Sequence, residues 1–261
     1  MSTSAAAPST LTQPAYSVLG VPLKAIEIRE LVSQMERWID WGERGHCLNF
    51  ANVHVVMEAQ RDRAFHEILL DHAVLNVPDG MPLVWLGRVL GYTLERRVYG
   101  PDLMRAFCET AAHKGYRHFF YGGAPGVPEQ LAANIQDQYP GSNVVGMYSP
   151  PFRPLTRTED DEVVEMINAA RPDVLWLGLG CPKQEKWAYE HRSRLHVPVI
   201  ASVGQAFDIY SGRIMQAPAW MRENGLEWFY RLLTNPRRLW KRYLVYNSHF
   251  LFLLARERMG L

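Results

Sequence analysis

Short apolar runs of strand length alternate along this chain with longer segments in which apolar residues recur about every three to four positions. Parallel strands cannot be joined by a tight turn and need a crossover, which is usually a helix. This alternation constrains the fold more than any other feature, because it favours a parallel sheet with helices between its strands. The predicted strands cover residues 47–51, 74–77, 118–121, 143–147, 174–179 and 199–203.

Helices are predicted between these strands from the same periodicity. Two of them open with recognisable start signals, which are Pro128 after Gly126 and the acidic run that follows Thr158. The predicted helices cover residues 26–41, 54–70, 82–90, 102–114, 127–138, 159–170 and 183–191. Together these elements predict an α/β fold, with a Rossmann-like, mostly parallel sheet flanked by helices.

The composition changes after about Gly212. Residues 213–261 carry nine Lys or Arg against three Glu, a formal charge of +6, whereas the rest of the chain sums to −5. Two helices rich in Trp, Tyr, Phe and Arg are predicted there, over 217–233 and 236–259. Aromatic and basic side chains in alternation suit the membrane interface, although a helical cap buried on the domain would use the same residues. We therefore predict a C-terminal helical membrane-binding appendage.

The predicted organisation has three parts: a disordered leader over 1–15, a Rossmann-like catalytic domain over 16–212 and the appendage over 213–261. The leader lacks the basic start and apolar core of a signal peptide. No stretch approaches the roughly 18 uncharged apolar residues that span a bilayer. Three isolated cysteines, Cys47, Cys108 and Cys181, fit a reducing compartment. The expected location is cytoplasmic and peripheral on the inner face of the plasma membrane, with no nucleic-acid partner.

Asp79 is the first candidate for chemistry, because it follows the predicted strand 74–77 directly. Open α/β sheets bind ligands at the carboxyl ends of their strands. A carboxylate at that edge can act as a general base. The same Asp-Gly pair is also an ordinary turn or helix cap, so the local sequence leaves both interpretations open.

Two later junctions between a strand and a helix offer polar groups at the same edge. Gly123 lies in a glycine-rich turn whose amides can hold phosphate or sugar oxygens, although the spacing is not that of the dinucleotide fingerprint. Gln184 falls in a first helical turn, where its amide can donate to and accept from sugar hydroxyls. Simple turn chemistry and an exposed helix position are the alternatives for these two residues.

Three further positions could contact a nucleotide. Phe207 could stack on a base and Asp208 could accept from an imide or a ribose hydroxyl, but core packing and helix capping explain them equally well. Arg97 could pair with a diphosphate, although exposed arginines are usually solvated. In the appendage, Arg231 and Arg238 are seven residues apart and would share one helical face if Pro236 did not bend or restart the helix.

Taken together, these segments resemble the WecG/TagA/CpsF glycosyltransferases, also called glycosyltransferase family 26. The resemblance spans about residues 16–245 and rests on several motifs in one order. The matching pieces are Asn52 with Ala59, Pro78-Asp79-Gly80, Arg97-Val98-Tyr99-Gly100-Pro101-Asp102, the run 178–185, the run 204–208, Ala217-Pro218-Ala219-Trp220, the run 225–232 and Pro236-Arg237-Arg238.

The resemblance implies an inverting transferase that needs no metal and no cofactor besides its UDP-sugar donor. Family members typically pass N-acetylmannosamine to N-acetylglucosaminyl-diphospho-undecaprenol, and some build exopolysaccharides with glucose or related hexoses. By this resemblance Asp79 is the catalytic base and Asn52 lines the pocket. Arg97 and Gln184 likewise fall on pocket positions.

The same resemblance matches Arg231 and Arg238 to appendage arginines that close over the donor diphosphate. The implied partners are a UDP-sugar, a polyprenyl-diphosphate-linked sugar and the inner-membrane surface, with a homo-oligomer as a further expectation. Two departures bear on the donor sugar: Phe50 replaces a frequent Thr, and Gln216 replaces the usual Arg before Ala-Pro. Two other functions remain open from the residues alone, a nicotinamide-dependent oxidoreductase and a non-catalytic membrane scaffold.

Overall fold

The computed structural model describes residues 14–259 of the 261-residue chain. Its strands form a two-stranded hairpin and a six-stranded sheet. They are β1 (Ala15–Val18), β2 (Val21–Lys24), β3 (His46–Ala51), β4 (Val74–Pro78), β5 (Arg117–Gly122), β6 (Asn143–Tyr148), β7 (Val174–Gly178) and β8 (Val199–Ser202). The large sheet has the order β4-β3-β8-β7-β5-β6, and all of its strand pairs are parallel. This confirms the predicted parallel sheet.

Helices cover both faces of this sheet. In the body of the protein they are α1 (Ile28–Asp40), α2 (Val53–Arg61), α3 (Arg63–Leu70), α4 (Met81–Val89), α5 (Gly100–Lys114), α6 (Val127–Gln138), α7 (Arg157–Ala170), α8 (Lys183–His191) and α9 (Ala206–Tyr210). Two apolar clusters lie against the sheet, one under α1, α5 and α6 and one under α7 and α8. The central strands β7 and β8 are buried on both faces, which explains why they are continuous apolar runs in the sequence.

The hairpin β1–β2 was not predicted. Its turn residues Leu19 and Gly20 both have positive φ, at 49° and 80°. Two-residue hairpin turns need such angles, but leucine rarely adopts them, so the turn has no clear sequence signature. Ala15, assigned to the leader by the sequence, already belongs to β1. Residues 1–13 of the predicted leader lie outside the described residues.

The prediction of one helix over 54–70 is wrong, because Asp62 divides it into α2 and α3. Asp62 has extended backbone angles and its side chain accepts a hydrogen bond from the Phe65 amide at 3.1 Å. An aspartate that caps the next helix in this way satisfies an amide that would otherwise lack a partner. The apolar periodicity continues across the break, so the pattern alone does not reveal it.

The appendage consists of α10 (Ala219–Glu223), α11 (Glu227–Thr234), α12 (Pro236–Trp240), a π-helical turn (Lys241–Val245) and α13 (Tyr246–Arg258). The predicted restart at Pro236 is confirmed. The single predicted helix over 217–233 is wrong, since Gly225 adopts a φ of +71° between α10 and α11. A side chain at Gly225 would lie 3.0 Å from the Trp85 ring and 3.2 Å from Met81, so glycine allows the close approach of the appendage to α4.

Helix α13 attaches the appendage to the body. Phe250 is 2% exposed and packs in the apolar cluster that α2, α4 and the hairpin share. Tyr246 donates a hydrogen bond to Glu58 on α2 at 2.9 Å. Nearer the start of the appendage, Arg222 pairs with Asp102 on α5 at 3.6 Å. Within residues 14–259 no helix has both the length and the apolarity needed to cross a membrane.

We expect Phe250→Ala to reduce the free energy of unfolding by about 3 kcal/mol, because it leaves a cavity in a packed cluster. Phe252 on the same helix is 62% exposed. Its alanine variant is the matched control and should cost less than about 0.5 kcal/mol. Denaturant unfolding of both variants measures the difference, and equal stabilities would contradict the packing described for α13.

Candidate active site

A cleft lies at the carboxyl ends of β3 and β4, between the body and the appendage. The empty space of the cleft, counted together with its open mouth, is about 680 Å³. Both parts of the chain contribute to its walls. The lining residues are Asn52, Val53, His54, Asp79, Gly80, Met81, Pro82, Arg97 and Tyr99 from the body, and Gly225, Glu227, Trp228, Arg231, Tyr243 and Asn247 from the appendage.

Asp79 occupies the position after β4 that the sequence predicts. Its amide donates to the Ala51 carbonyl at 2.8 Å, which extends the pairing of β3 and β4 by one residue. Asn52 caps α2 by accepting from the His54 and Val55 amides at 3.0 and 3.3 Å. The Asn52 side chain also lies beside the Asp79 carboxyl group and lowers its pKa. The Asp79 Oδ1 atom is buried and has no hydrogen-bond partner among the described residues.

The surroundings of Asp79 shift its acidity. Burial raises the pKa of Asp79 from its ordinary value of 3.8 to about 7. Nearby Arg97 and Arg231 lower this pKa, whereas Glu227 raises it. A carboxyl group with a pKa near neutrality can accept and release a proton at the pH of the cell, as general acid–base catalysis requires.

Arg97 is held beside Asp79 by three contacts. Its Nη1 atom donates to the Asp79 backbone carbonyl at 3.4 Å. Its guanidinium lies over the ring of Tyr99, 4.1 Å from the ring centroid. Its Nη2 atom donates to the Glu227 carboxylate, and the two side chains form an ion pair. The guanidinium is therefore fixed at the cleft rather than solvated.

Glu227 on α11 is also bonded to two other side chains. The Tyr99 hydroxyl donates to its Oε1 atom at 3.2 Å, and Arg231 lies one helical turn away, with Nη1 3.8 Å from the same oxygen. Burial raises the pKa of Tyr99 well above its ordinary value, and Glu227 adds to this effect. The phenol therefore keeps its proton and acts as the donor.

The structure brings four of the predicted site residues into this cleft: Asn52, Asp79, Arg97 and Arg231. The side chain of Arg238 lies outside the described part of the chain, so its predicted contact with a diphosphate stays a prediction.

Gly123 and Gln184 lie at the carboxyl ends of other strands and do not line the cleft around Asp79. The Gly123 amide donates to the Gly178 carbonyl at 3.0 Å, which joins β5 to β7 beyond their ends. The buried Gln184 side chain accepts from the Gly180 amide and donates to Glu185 and to the Ser202 carbonyl. Both residues hold the sheet edge together, and their predicted ligand contacts remain predictions.

Phe207 and Asp208 are on α9, at the end of β8, and also lie outside the cleft lining. The Phe207 ring is 1% exposed and packs edge-on against Phe120, with the ring centroids 6.1 Å apart. Phe207 is therefore a core residue, which is one of the two interpretations that the sequence left open. Stacking on a base and the Asp208 contact with a nucleotide are not tested by this arrangement.

Sequence reasoning assigned no role to several lining residues. Tyr99 and Glu227 lie inside the family-like motifs, but nothing in the sequence pairs them, since they are 128 positions apart. Trp228 and Tyr243, whose ring centroids are 6.0 Å apart, come from the appendage. In the sequence they belong to the aromatic and basic run of the appendage, which fits a membrane interface or a buried helical cap as well as a site. Within the described residues, no group of three or more His, Cys, Asp or Glu side chains is arranged to hold a metal ion.

The family model described as "Glycosyl transferase WecG/TagA/CpsF family" matches residues 16–261. The chain belongs to this family. A relative from Bacillus spizizenii is 32% identical over 232 residues, covering 89% of this chain and 88% of its own length. Relatives from Bacillus subtilis and Staphylococcus aureus are 31% and 32% identical, covering 87% and 72% of this chain and 88% and 72% of their own. All three are named N-acetylglucosaminyldiphosphoundecaprenol N-acetyl-β-D-mannosaminyltransferase.

Membership decides among the functions that the residues left open. The protein is a glycosyltransferase, and its relatives transfer a hexosamine. The oxidoreductase and the non-catalytic scaffold are set aside. The four predicted residues meet in one cleft of this glycosyltransferase, and their part in sugar transfer stays a prediction.

We expect Asp79→Asn to stabilise the folded protein at pH 8. Folded Asp79 binds its proton more tightly than the unfolded chain, so the native protein loses stability as pH rises from 3.8 to about 7. An asparagine cannot ionise and avoids this loss. The melting temperature of the variant should exceed that of the native protein at pH 8, and the difference should shrink as pH falls toward 4.

The exposed Asp137 on α6 supplies the control. Its asparagine variant removes the same charge from a solvated site and should gain no more than the roughly 0.3–1 kcal/mol that a negative charge costs near the end of a helix. A native protein as stable as Asp79→Asn at pH 8 would contradict the unfavourable burial of the Asp79 carboxylate.

Proposed function

We propose that the protein transfers N-acetylmannosamine, or a related hexose, from a UDP-sugar to a polyprenyl-diphosphate-linked sugar during synthesis of a bacterial cell-wall polymer or exopolysaccharide. The names of the three relatives supply the acceptor class and the first donor to test. A chain that covers 88% of the length of its Bacillus relatives has room for the same two substrates.

The observation that carries the proposal is the Asp79 carboxyl group: the residue lines the cleft, one of its oxygens is buried without a hydrogen-bond partner among the described residues, and burial raises its pKa to about 7. In its ionised form Asp79 takes the proton of an acceptor hydroxyl. The oxygen so freed forms a bond to the anomeric carbon of the donor, and the bond from that carbon to the β-phosphate oxygen of UDP breaks. The proton ends on Asp79 and the electron pair on UDP, with inversion at the anomeric carbon.

Negative charge grows on the departing diphosphate, and cations near it lower the barrier. Arg97 and Arg231 line the same cleft as Asp79, and guanidinium groups match phosphate oxygens in geometry. These two arginines are our candidates for stabilising the leaving group without a metal ion. Because Arg231 lies on α11, the complete site requires the appendage to be docked.

The donor sugar is chosen by the remaining lining residues. Trp228 and Tyr243 offer ring faces and Asn247 offers an amide, as sugar-binding sites use. Phe50, which stands where the family often has Thr, lies on β3, is 5% exposed and packs in the core. A phenylalanine supplies no hydroxyl to hydrogen-bond a sugar at this position. The donor is therefore best identified by testing a panel of UDP-sugars.

Membrane attachment is the second part of the proposal, because the acceptor is a lipid. Apolar side chains stand exposed along the appendage: Trp220, Trp228, Phe229, Leu233, Trp240, Leu244, Val245, Leu251 and Phe252. Together with the charge of +6 over residues 213–261 they suit the inner-membrane surface, where rings lie at headgroup depth and cations meet anionic lipid.

The transferase assay combines a panel of UDP-sugars with a short-chain lipid-diphosphate sugar and measures UDP release. We expect release with at least one hexosamine donor and a loss of about 10²- to 10⁴-fold in Asp79→Asn, since a general base contributes that much. The rate should fall about tenfold for each pH unit below about 7, because the base must be ionised.

Binding of UDP, measured by calorimetry, is the control and should survive Asp79→Asn. Native turnover in Asp79→Asn would contradict the role of the carboxylate. An absence of UDP release with every donor would contradict the transfer itself.

We expect Trp240→Ala to weaken binding to anionic phospholipid vesicles roughly tenfold, because burying a large apolar side chain contributes about 1.5–3 kcal/mol. Trp41 on the body is 53% exposed, against 46% for Trp240, and its alanine variant is the matched control. Cosedimentation with vesicles measures both. Equal losses in the two variants would contradict attachment through the appendage.

A further inference from the structure

We propose that Glu227 is a positioning residue of the transferase: it holds Arg97 beside Asp79 and fixes α11, with Arg231, over the cleft. This inference rests on the proposed function. The sequence assigned no role to the buried Glu227 carboxylate. In the proposed role this carboxylate does not react with either substrate.

The position of Glu227 supports this role. It is the first residue of α11, and its side chain is 11% exposed. Both of its oxygens are engaged: Oε2 accepts from Arg97, while Oε1 accepts from Tyr99 and lies near Arg231. Arg97 and Tyr99 belong to the body, so the Glu227 carboxylate joins the appendage to the body within the cleft.

The contacts of Arg97 show why it needs this partner. Its contact with the Asp79 carbonyl is long, at 3.4 Å, and its contact with the Tyr99 ring leaves rotation in the plane open. The carboxylate of Glu227 removes that freedom, since a charge-assisted hydrogen bond has a preferred direction. Tyr99, in turn, is held by both residues. The guanidinium is then oriented before a diphosphate arrives, which reduces the entropy lost on binding.

Glu227 also changes the charge around the catalytic carboxyl. The charged or titratable groups that face Glu227 are Asp79, Arg97 and Tyr99 from the body and Arg231 from its own helix. Its negative charge offsets part of the effect of the two arginines, and it raises the pKa of Asp79. Without Glu227, Asp79 would ionise at lower pH and would be a weaker base.

The test uses Glu227→Gln, which keeps the shape and one acceptor oxygen but removes the charge, and Glu227→Asp, which keeps the charge but is one methylene shorter. Glu223→Gln is the control, because it makes the same charge change at an exposed position on α10. We expect Glu227→Gln to lower kcat about 10- to 100-fold, with a smaller change in KM for the UDP-sugar. The acidic limit of the variant, which is the pH below which its transfer rate falls because Asp79 is protonated, should also lie at lower pH than in the native protein.

Glu227→Asp should keep the acidic limit near the native pH while kcat stays below the native value, since the shorter side chain cannot reach Arg97 and Tyr99 together. Native kcat and an unmoved limit in Glu227→Gln would overturn the proposal. A lowered kcat with an unmoved limit would overturn it too, because a merely structural role predicts that result.

Amide hydrogen exchange supplies a measurement that does not depend on turnover. Exchange in α11 should be several-fold faster in Glu227→Gln than in the native protein and unchanged in Glu223→Gln. Unchanged exchange in both variants would overturn the anchoring role. If the native protein released no UDP from any donor, the proposed function would fail, and the exchange result would still decide whether Glu227 fixes α11.

Discussion

The site depends on one carboxyl group buried at the end of a parallel strand. Asp79 follows β4, and its amide bond to the Ala51 carbonyl, at 2.8 Å, fixes it relative to the neighbouring strand β3. A rigid sheet edge can hold a carboxyl group in an environment that disfavours its charge, because the strands are stabilised by apolar burial elsewhere. Asn52, at the start of α2, lies beside the group and lowers its pKa. The two junctions together set the floor of the cleft.

The charge on this carboxyl is balanced by groups from two distant parts of the chain. Burial and Glu227 disfavour ionisation, whereas Arg97 and Arg231 favour it. Arg97 comes from the segment before α5 and Arg231 from the appendage, so the balance exists only when the appendage is docked. The lipid-linked acceptor that we propose would suit this arrangement, because the appendage that lines the site also carries exposed apolar side chains. Chemistry and membrane contact would then depend on the same helices.

The described residues attach the appendage to the body through contacts of three physical kinds. Phe250 is buried in an apolar cluster, Tyr246 and Arg222 make polar contacts with α2 and α5, and Glu227 is bonded inside the cleft. The apolar contact removes a large ring from water, which stabilises the attachment, whereas the net free energy of a buried ionic contact is small because both charges lose their hydration. Gly225 allows the chain to pass close to α4 between two of these contacts.

The sequence by itself determined the parallel sheet, the helices around it and the position of Asp79, because hydrophobic periodicity and strand ends are local properties. It also marked Asn52, Arg97 and Arg231 through family-like motifs. Only the tertiary structure decided that Glu227 joins Arg97 and Tyr99, and that Gln184 is used inside the sheet edge. Such pairings link positions up to 130 residues apart, and no local pattern records which buried groups will meet. The helix breaks at Asp62 and Gly225 were not predicted for a related reason. Helix capping by Asp62 and the close approach of Gly225 to α4 depend on neighbouring groups that the apolar periodicity does not record.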